Sequence, residues 1–488
     1  MKTSYLLAVV MYLAFVTCSL SAKEQPTVYV TFWFDTEDFI LPQADDAAKR
    51  LAEMFTKRNV KATFKIVGEK ARVLEERGRD DVIMALAKND IAYHSTYHSV
   101  HPTPSEYCRD LDWHEGVSEF IRREGVGLET LRHVFGVNAS CYGQPGGSWT
   151  PESYAALHAF DIPLYLDETS HVKLNNRPFR YCGILTILEL GDCVMRTGWT
   201  DEEVKQACAK FDSVHKKLIQ EEGGIISIYY HPCEFLHRQF WDGVNFARGA
   251  NPPRSQWKLP PLKSKEQQEQ AFGAFEAYLD HIVKHPNVRL VTAREIPSLY
   301  PDRVYSRPLT QSDVKTIAEA FQKRLSYVDL DDRIVSAAEG LLALSNFVAD
   351  REAESKPQDI RLKFAYGPAS QPQRFVTERT FSWDAIRQAA RELLDIVHTT
   401  QKLPSIIWVA GEPVRPEDFA VTLASLINDG HYSGNIALRK GELEAKKYVA
   451  DDSPRLWGWV IFPEGFNAPH MMEIAKLQGW TIKPATLR

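Results

Sequence analysis

The 488-residue chain is poor in cysteine, with seven in all, and no two of them stand in a Cys-x-x-Cys arrangement. That spacing excludes a thiolate zinc ribbon and leaves metal binding to imidazole and carboxylate. Positive charge is not in excess either: 58 Lys and Arg against 64 Asp and Glu give a formal charge of -6. The basic footprint of a nucleic-acid-binding protein is therefore missing. Beyond the first residues there is no apolar run long enough for a transmembrane span. What remains is ordinary globular material, 44% apolar and 25% charged, enough for the cores of two or three domains.

The one long apolar run is at the start. Met1-Lys2 supplies positive charge, Tyr5 to Val16 is almost unbroken apolar sequence, and small residues (Ser19, Ser21, Ala22) precede a polar stretch from Lys23. This is the layout of a secretory signal peptide and predicts that residues 1–22 are removed and the mature protein is secreted or periplasmic. Cys18 raises lipoprotein anchoring as the alternative, but Phe15-Val16-Thr17 is a poor lipobox, which needs a small residue before the cysteine. An oxidising compartment permits disulfides among the six remaining cysteines, and the spacing does not choose their pairing.

From Thr27 to Tyr300 short apolar runs alternate with helical patterns. Strands are predicted at Thr27–Asp35, Lys61–Val67, Asp90–Ser95, Ser140–Gly143, Pro163–Asp167, Ile225–His231 and Val288–Thr292. Helices are predicted from Ala44 to Arg58, up to Lys88, and at Asp112–Phe135, Pro151–Phe160, Glu202–Glu221 and Lys265–Lys284. That alternation is the signature of an α/β fold with a parallel sheet, open or closed into a barrel. In such folds the chemistry collects where strands end.

The first strand ends in Asp35-Thr36-Glu37-Asp38, a carboxylate cluster that also suits a helix N-terminus. The third leads into His94-Ser95-Thr96-Tyr97-His98, two histidines four apart that present imidazoles to one ion if the segment turns helically. Together they offer two nitrogens and an oxygen, a three-ligand set that leaves a position for water, as a catalytic zinc site requires. The strand Ile225 to Tyr230 delivers His231, fixed by Pro232, as a candidate general acid or base. Asp167, at another strand end, is a candidate to orient that imidazole, or a turn cap.

The order of these motifs, with YHSTYHSVHP (Tyr93–Pro102) about sixty residues after FWFDTEDF (Phe32–Phe39), resembles the NodB-homology or polysaccharide deacetylase family. The resemblance covers about residues 27–300. It implies a distorted (β/α) barrel that removes N- or O-acetyl groups from a polysaccharide, usually with zinc. It further implies His94 and His98 as metal ligands, Asp35 as the catalytic base, His231 as the acid and Asp167 as its partner. Strand alternation favours Glu37 as the third ligand, and a bulge at the strand end would substitute Asp38. One departure is large: the arginine that usually holds the base is missing from Tyr142-Gly143-Gln144-Pro145-Gly146-Gly147-Ser148-Trp149, where Gly143 stands at its place. Gly146 and Gly147 are candidates to bring backbone close to substrate, and Trp149, Trp113 and Trp241 to stack on a sugar.

After about residue 305 the sequence changes character. Amphipathic helices are predicted at Ser312–Leu325, Ser336–Asp350, Ser382–Thr399 and Pro416–Asp429, with a polar linker at Glu352–Gln373 and a closing strand (Trp457–Pro463) and helix (Pro469–Gln478). LLALSNFVAD (Leu341–Asp350) and AVTLASLIND (Ala420–Asp429) share an apolar pattern, which suggests a duplicated two-helix unit. Leu403–Phe419 faintly resembles pseudomurein-binding repeats; a helical accessory domain packed on the barrel is the plainer reading. The expected organisation is a signal peptide (1–22), a deacetylase-like catalytic domain (23–304) and a mainly helical accessory domain (305–488). A metal-dependent hydrolase of a small non-peptide amide and a non-catalytic wall-polymer-binding protein are the competing functions.

Overall fold

A computed structural model describes residues 25–196, 198–349 and 359–488. The proposed signal peptide, Cys18 and part of the polar linker lie outside the described residues. In chain order the first half contains β1 (Val28–Thr36), α1 (Gln43–Lys57), β2 (Thr63–Ile66), α2 (Gly68–Glu76), α3 (Asp80–Ala87) and β3 (Asp90–Tyr93). It continues with α4 (Pro104–Cys108), α5 (Trp113–Phe135), α6 (Glu152–Ala159), β4 (Leu164–Leu166), β5 (Phe179–Tyr181) and β6 (Ile184–Ile187). It ends with α7 (Asp201–Gln220), β7 (Gly224–Tyr230), α8 (Trp241–Asn245), α9 (Lys265–Lys284) and β8 (Val288–Leu290).

The expected α/β class with a parallel sheet is present. β3, β2, β1 and β7 lie side by side, all parallel, and β8 also pairs with β1. β1 (VYVTFWFDT) is buried on both faces, which is why its apolar run is nearly continuous. Val28, Val30, Phe32 and Phe34 face the helical layer, where Phe32 meets Phe55 and Phe275 edge-on at 5.4 and 6.1 Å. Burying each such ring stabilises the fold by about 1.5–3 kcal/mol. Trp33 points the other way, into a smaller core with Ala92, Leu164, Leu166, Leu185, Ile187 and Tyr229.

That inner core lies between the parallel sheet and a second sheet, ordered β4-β6-β5, whose outer edge pairs with Lys483–Pro484. A continuous barrel ladder is not formed among the described residues. Single-residue bridges stand between the sheets instead: Tyr142 with Tyr93 and Tyr165 on one side, Leu190 with Ser227 on the other. The strand expected at Ser140–Gly143 is reduced to that bridging tyrosine.

The second half has its own core, built from helices Gln311–Lys323, Ala337–Ala349, Trp383–Thr400 and Pro416–Asp429. The order helix, two short antiparallel strands, helix occurs twice, with Val328–Asp329 and Ile334–Val335 in one case and Ile407–Val409 and Glu412–Val414 in the other. Trp457–Pro463, expected as a strand, is a run of turns, while the helix that follows is Pro469–Leu477. Trp457, Ile461, Phe462, Met471 and Ile482 bury their side chains in the core of the first half. All six described cysteines are unpaired.

Candidate metal centre and catalytic cleft

Parallel pairing in register places Asp35 of β1 beside Lys65 of β2, and Lys65 beside Ala92 of β3. Alternation along β2 sends Phe64 and Ile66 outward to the helices and Lys65 inward, under the cleft. The lysine is fully buried. Its Nζ lies 2.8 Å from Asp35 Oδ1, donates a 2.6 Å hydrogen bond to Asp167 Oδ2, and sits 4.1 Å from the Trp33 ring. Burial alone would lower the Lys65 pKa, but the charges of Asp167 and Asp35 raise it above its ordinary value. Burial works to raise the Asp35 pKa, but His94, Lys65 and His231 together bring it below the usual carboxylate value. Burial dominates at Asp167, whose pKa is pushed up to about 7.

Gly143, at the place of the absent arginine, is what leaves room for this cation. A Cβ there would lie 2.0 Å from Lys65 Nζ and 2.2 Å from Asp167 Oδ2. Asp167 therefore does not orient His231, as expected, but holds the lysine; the carboxylate beside His231 is Glu234, 3.3 Å from its Nδ1.

Glu37, on the same side of the chain as Asp35, converges with His94 and His98, their ligand atoms all within 4.8 Å of one another and all three buried. The His pair is reached without a helical turn. Ser95 (φ 67°) and His98 (φ 51°) take left-handed conformations, which cost non-glycine residues about 1–3 kcal/mol and gather at functional sites. Ser95 Oγ accepts from His98 N at 3.1 Å, and Ser95 O and Thr96 O accept from Gly68 N and Glu69 N, which pins the loop.

The ring orientations follow from the outer nitrogens. His94 Nδ1 donates to Gly143 O at 3.1 Å, and His98 Nδ1 lies 2.7 Å from Ser99 Oγ. Both Nε2 atoms are buried and have no aligned hydrogen-bond partner, although they lie 3.7 and 2.7 Å from Glu37 Oε2. Burial lowers the His94 pKa to about 4, so its imidazole is neutral. For Glu37, burial opposes ionisation, but His98, His231 and His94 hold its pKa well below the usual value. Two orphaned imidazole nitrogens and an ionised carboxylate aimed at one point fit a divalent transition metal. Asp35, His94 and Asp167 form a second such group, but the Lys65 ammonium already stands between its carboxylates.

Asp38, the other candidate ligand, turns away. Its Oδ1 accepts from Ile40 N (2.8 Å) and Leu41 N (3.0 Å), ending β1 in a side-chain-closed turn, and its Oδ2 lies 3.0 Å from His237. No bulge intervenes, so alternation puts Glu37 on the metal side.

His231 Nε2 lies 3.7 Å from Asp35 Oδ2 at the cleft wall. Burial would lower its pKa, but Glu37, Glu234 and Asp35 raise it to about 9. In the metal-free protein, NMR titration should find His231 protonated until about pH 9, and Glu234→Gln should lower that midpoint. The raised pKa contributes stability in full below the unfolded value near 6.5, and that contribution is lost as pH rises through about 9. An unshifted His231 would remove the electrostatic case for it as an acid.

The cleft has a volume of about 650 Å³ and is lined by Asp35, Glu37, His98, Gly146, Gly147 and His231 together with Arg455 to Val460 of the second half. The tryptophans expected to stack on sugar are buried elsewhere: Trp149 lies flat on His171 at 5.0 Å, and Trp113 packs on Tyr366. Trp241 is also buried and donates from Nε1 to Glu37 Oε1 at 2.9 Å, which orients the carboxylate. The aromatic wall is instead Trp459, anchored by its Nε1 to Asp242 Oδ2 at 2.8 Å and edge-on to His98 at 5.3 Å. It covers Gly146 so closely that a Cβ there would lie 2.3 Å from the ring.

No family model matches the chain, and no curated protein matches it. Among solved structures it is similar to a probable polysaccharide deacetylase from Pseudomonas aeruginosa PAO1, at 12% identity over 56% of this chain and 91% of that one, with a TM-score of 0.38. It is also similar to a variant of peptidoglycan deacetylase PdaC from Bacillus subtilis, at 13% identity over 56% and 91% of the two chains, with a TM-score of 0.29. Puue allantoinase is similar at 11% identity over 57% and 93%, with a TM-score of 0.38.

Proposed function

We propose that this chain is a metal-dependent hydrolase that removes N- or O-linked acetyl groups from an extracellular or cell-wall carbohydrate, releasing acetate. The observation that carries the reading is the pair of buried, unpartnered Nε2 atoms of His94 and His98, aimed with Glu37 at a point beside Asp35 and His231. A divalent ion bound there, zinc by its donor set, supplies Lewis acidity and makes a water easier to deprotonate.

The chain's own groups do the rest. Asp35, kept ionised by Lys65, accepts the proton of the attacking water. As the carbon–nitrogen or carbon–oxygen bond of the acetyl group breaks, His231 gives its proton to the departing amine or alcohol. Glu234 steadies the charged imidazole. Trp459, packed against Gly146 and Gly147, offers the flat apolar surface that suits a sugar face. The leader at residues 1–22 belongs to the same reading, that of an exported enzyme. A division near residue 304 belongs to the same proposal; two separate hydrophobic cores support it, the second starting at Val304, with residues 449–482 lending side chains back to the first.

The second reading, a small-amide hydrolase, draws on one feature. Residues 455–460 wall the cleft, and its volume, about 650 Å³, is that of a small-ligand pocket. Among carbohydrates this favours chain ends and short oligosaccharides over internal positions. Zinc-loaded protein should release acetate from acetylated chitooligosaccharides, peptidoglycan fragments or acetylxylan oligomers, faster from short chains than from polymer. His231→Gln should retain the metal and lower turnover by about a hundredfold or more. Bound metal with turnover of a ureide and no acetate from any glycan would replace the deacetylase reading with the second one.

A further inference from the structure

We propose that Asp212, His281 and His285 form a second metal site, outside the cleft, for a divalent transition ion of the zinc class. The three lie on the two long helices that run outside the sheet. Asp212 is on α7; His281 is in the last turn of α9 and His285, four residues on, is the extended residue that caps that helix, and both turn their rings to Asp212. Their ligand atoms all fall within 4.8 Å of one another. His281 Nε2 lies 2.6 Å and His285 Nε2 3.3 Å from the same oxygen, Oδ1 of Asp212. Ligands held tetrahedrally at zinc distances stand about 3.3 Å apart, so only small adjustments separate this cluster from a coordinated one.

Two further observations distinguish the cluster from an ordinary ion pair. His285 Nδ1 donates to Pro286 O at 3.2 Å, the backbone contact that fixes a ligating imidazole with its Nε2 outward. His215, one turn beyond Asp212, sets its ring 4.1 Å from that of His285 at a tilt of 56°. It is only 6% exposed, and its Nε2 has no hydrogen-bond partner. An ion pair with Asp212 uses one imidazole; a second ring on the same oxygen and a third beside it, with a buried and unpartnered Nε2, have no role in a pair. They are what a cation needs. Two or three imidazoles with one carboxylate select zinc, and nickel or copper at higher affinity, over magnesium or calcium. With Asp212 and His281 partly exposed, the ion enters from solvent and clamps α7 to α9, away from the reacting atoms.

The test is zinc stoichiometry by titration calorimetry on chelator-treated full-length protein, with thermal midpoints read in parallel. Wild type should bind two ions, and His281→Ala/His285→Ala should bind one, with its activity unchanged. The midpoint rise on adding zinc should be smaller in that variant. Asp212→Asn, which keeps size and removes charge, should weaken the same ion at least tenfold. Zinc that persists in Glu37→Gln/His94→Ala and disappears when His281 and His285 are also replaced supports the site whatever the cleft binds. Equal zinc uptake and affinity in wild type and in the His281/His285 double variant would overturn it.

Discussion

Lys65→Met should cost about 3–5 kcal/mol of stability at neutral pH, the range for a buried charge left without its partner, and should cripple turnover at the same time. The side chain is fully buried and is the cation between Asp35 and Asp167. Methionine keeps most of the volume, so the loss is electrostatic. Without the ammonium, two buried carboxylates face each other and one must take up a proton. Asp35 then titrates higher, and the acid limb of kcat/KM moves to higher pH.

Stability changes slope as well. In the wild type the lowered Asp35 pKa contributes stability above the unfolded carboxylate range, and that contribution is lost as pH falls through the folded value. In the variant both carboxylates have raised values, so the protein should gain stability as pH falls towards 4. Chemical denaturation at several pH values, together with a pH–rate profile, reads both effects. A variant with the wild-type acid limb would show that Lys65 only fills space. Lys65→Arg is the informative companion: it keeps the charge in a larger group, and the space beside Gly143 is already filled by the lysine and Asp167.

His94→Ala should empty the proposed metal centre and bring acetate release below detection. The three-donor set has no spare ligand: Glu37, His94 and His98 converge, and Asp38 is committed to two backbone N–H groups. Zinc content of dialysed protein and acetate release, with circular dichroism to verify folding, decide the matter. Asp38→Asn is the contrast. It preserves much of the turn and should leave the cleft zinc in place. Should His94→Ala retain zinc and activity while Asp38→Asn loses both, the ligand assignment is reversed.

The strands that carry the site were legible because each is an apolar run that stops at a charged residue. β1 reads as a buried strand ending in Asp35, and β7 as one ending before His231. The side on which Glu37 falls follows from period-two alternation, but His94 and His98 meet through left-handed residues at 95 and 98 rather than the helical turn that their spacing suggests. Lys65 was not legible. A single lysine in Thr-Phe-Lys-Ile looks like the solvent side of a half-buried strand, and only a sheet covered on both faces turns it into an interior cation. The glycine at 143 was noticed as an absence, yet its meaning lay in a side chain from another strand. The partner of His231 is hidden for a related reason: Asp167 and Glu234 both suit an imidazole, and the choice rests on how the strands come together. Trp459 was hidden furthest, because aromatic residues in a run such as Trp457–Pro463 read as strand or core, and nothing local links them to a cleft more than two hundred residues earlier. The sheet edge formed by β5, β6 and Lys483–Pro484 is built from pieces of two to four residues, too short for any periodicity to register.

The return of residues 449–484 to the first half also bears on the order in which the molecule is made. The parallel strands emerge from the ribosome well before Lys483–Pro484, which pair with β5, and before the cleft wall contributed by residues between Arg455 and Val460. Until then β5 is paired on one side only, by β6, and the surface that receives Ile461, Phe462 and Met471 is open to water. The early half thus emerges as an unfinished shape, and its cleft acquires its final form only once residues 455–460 have been made.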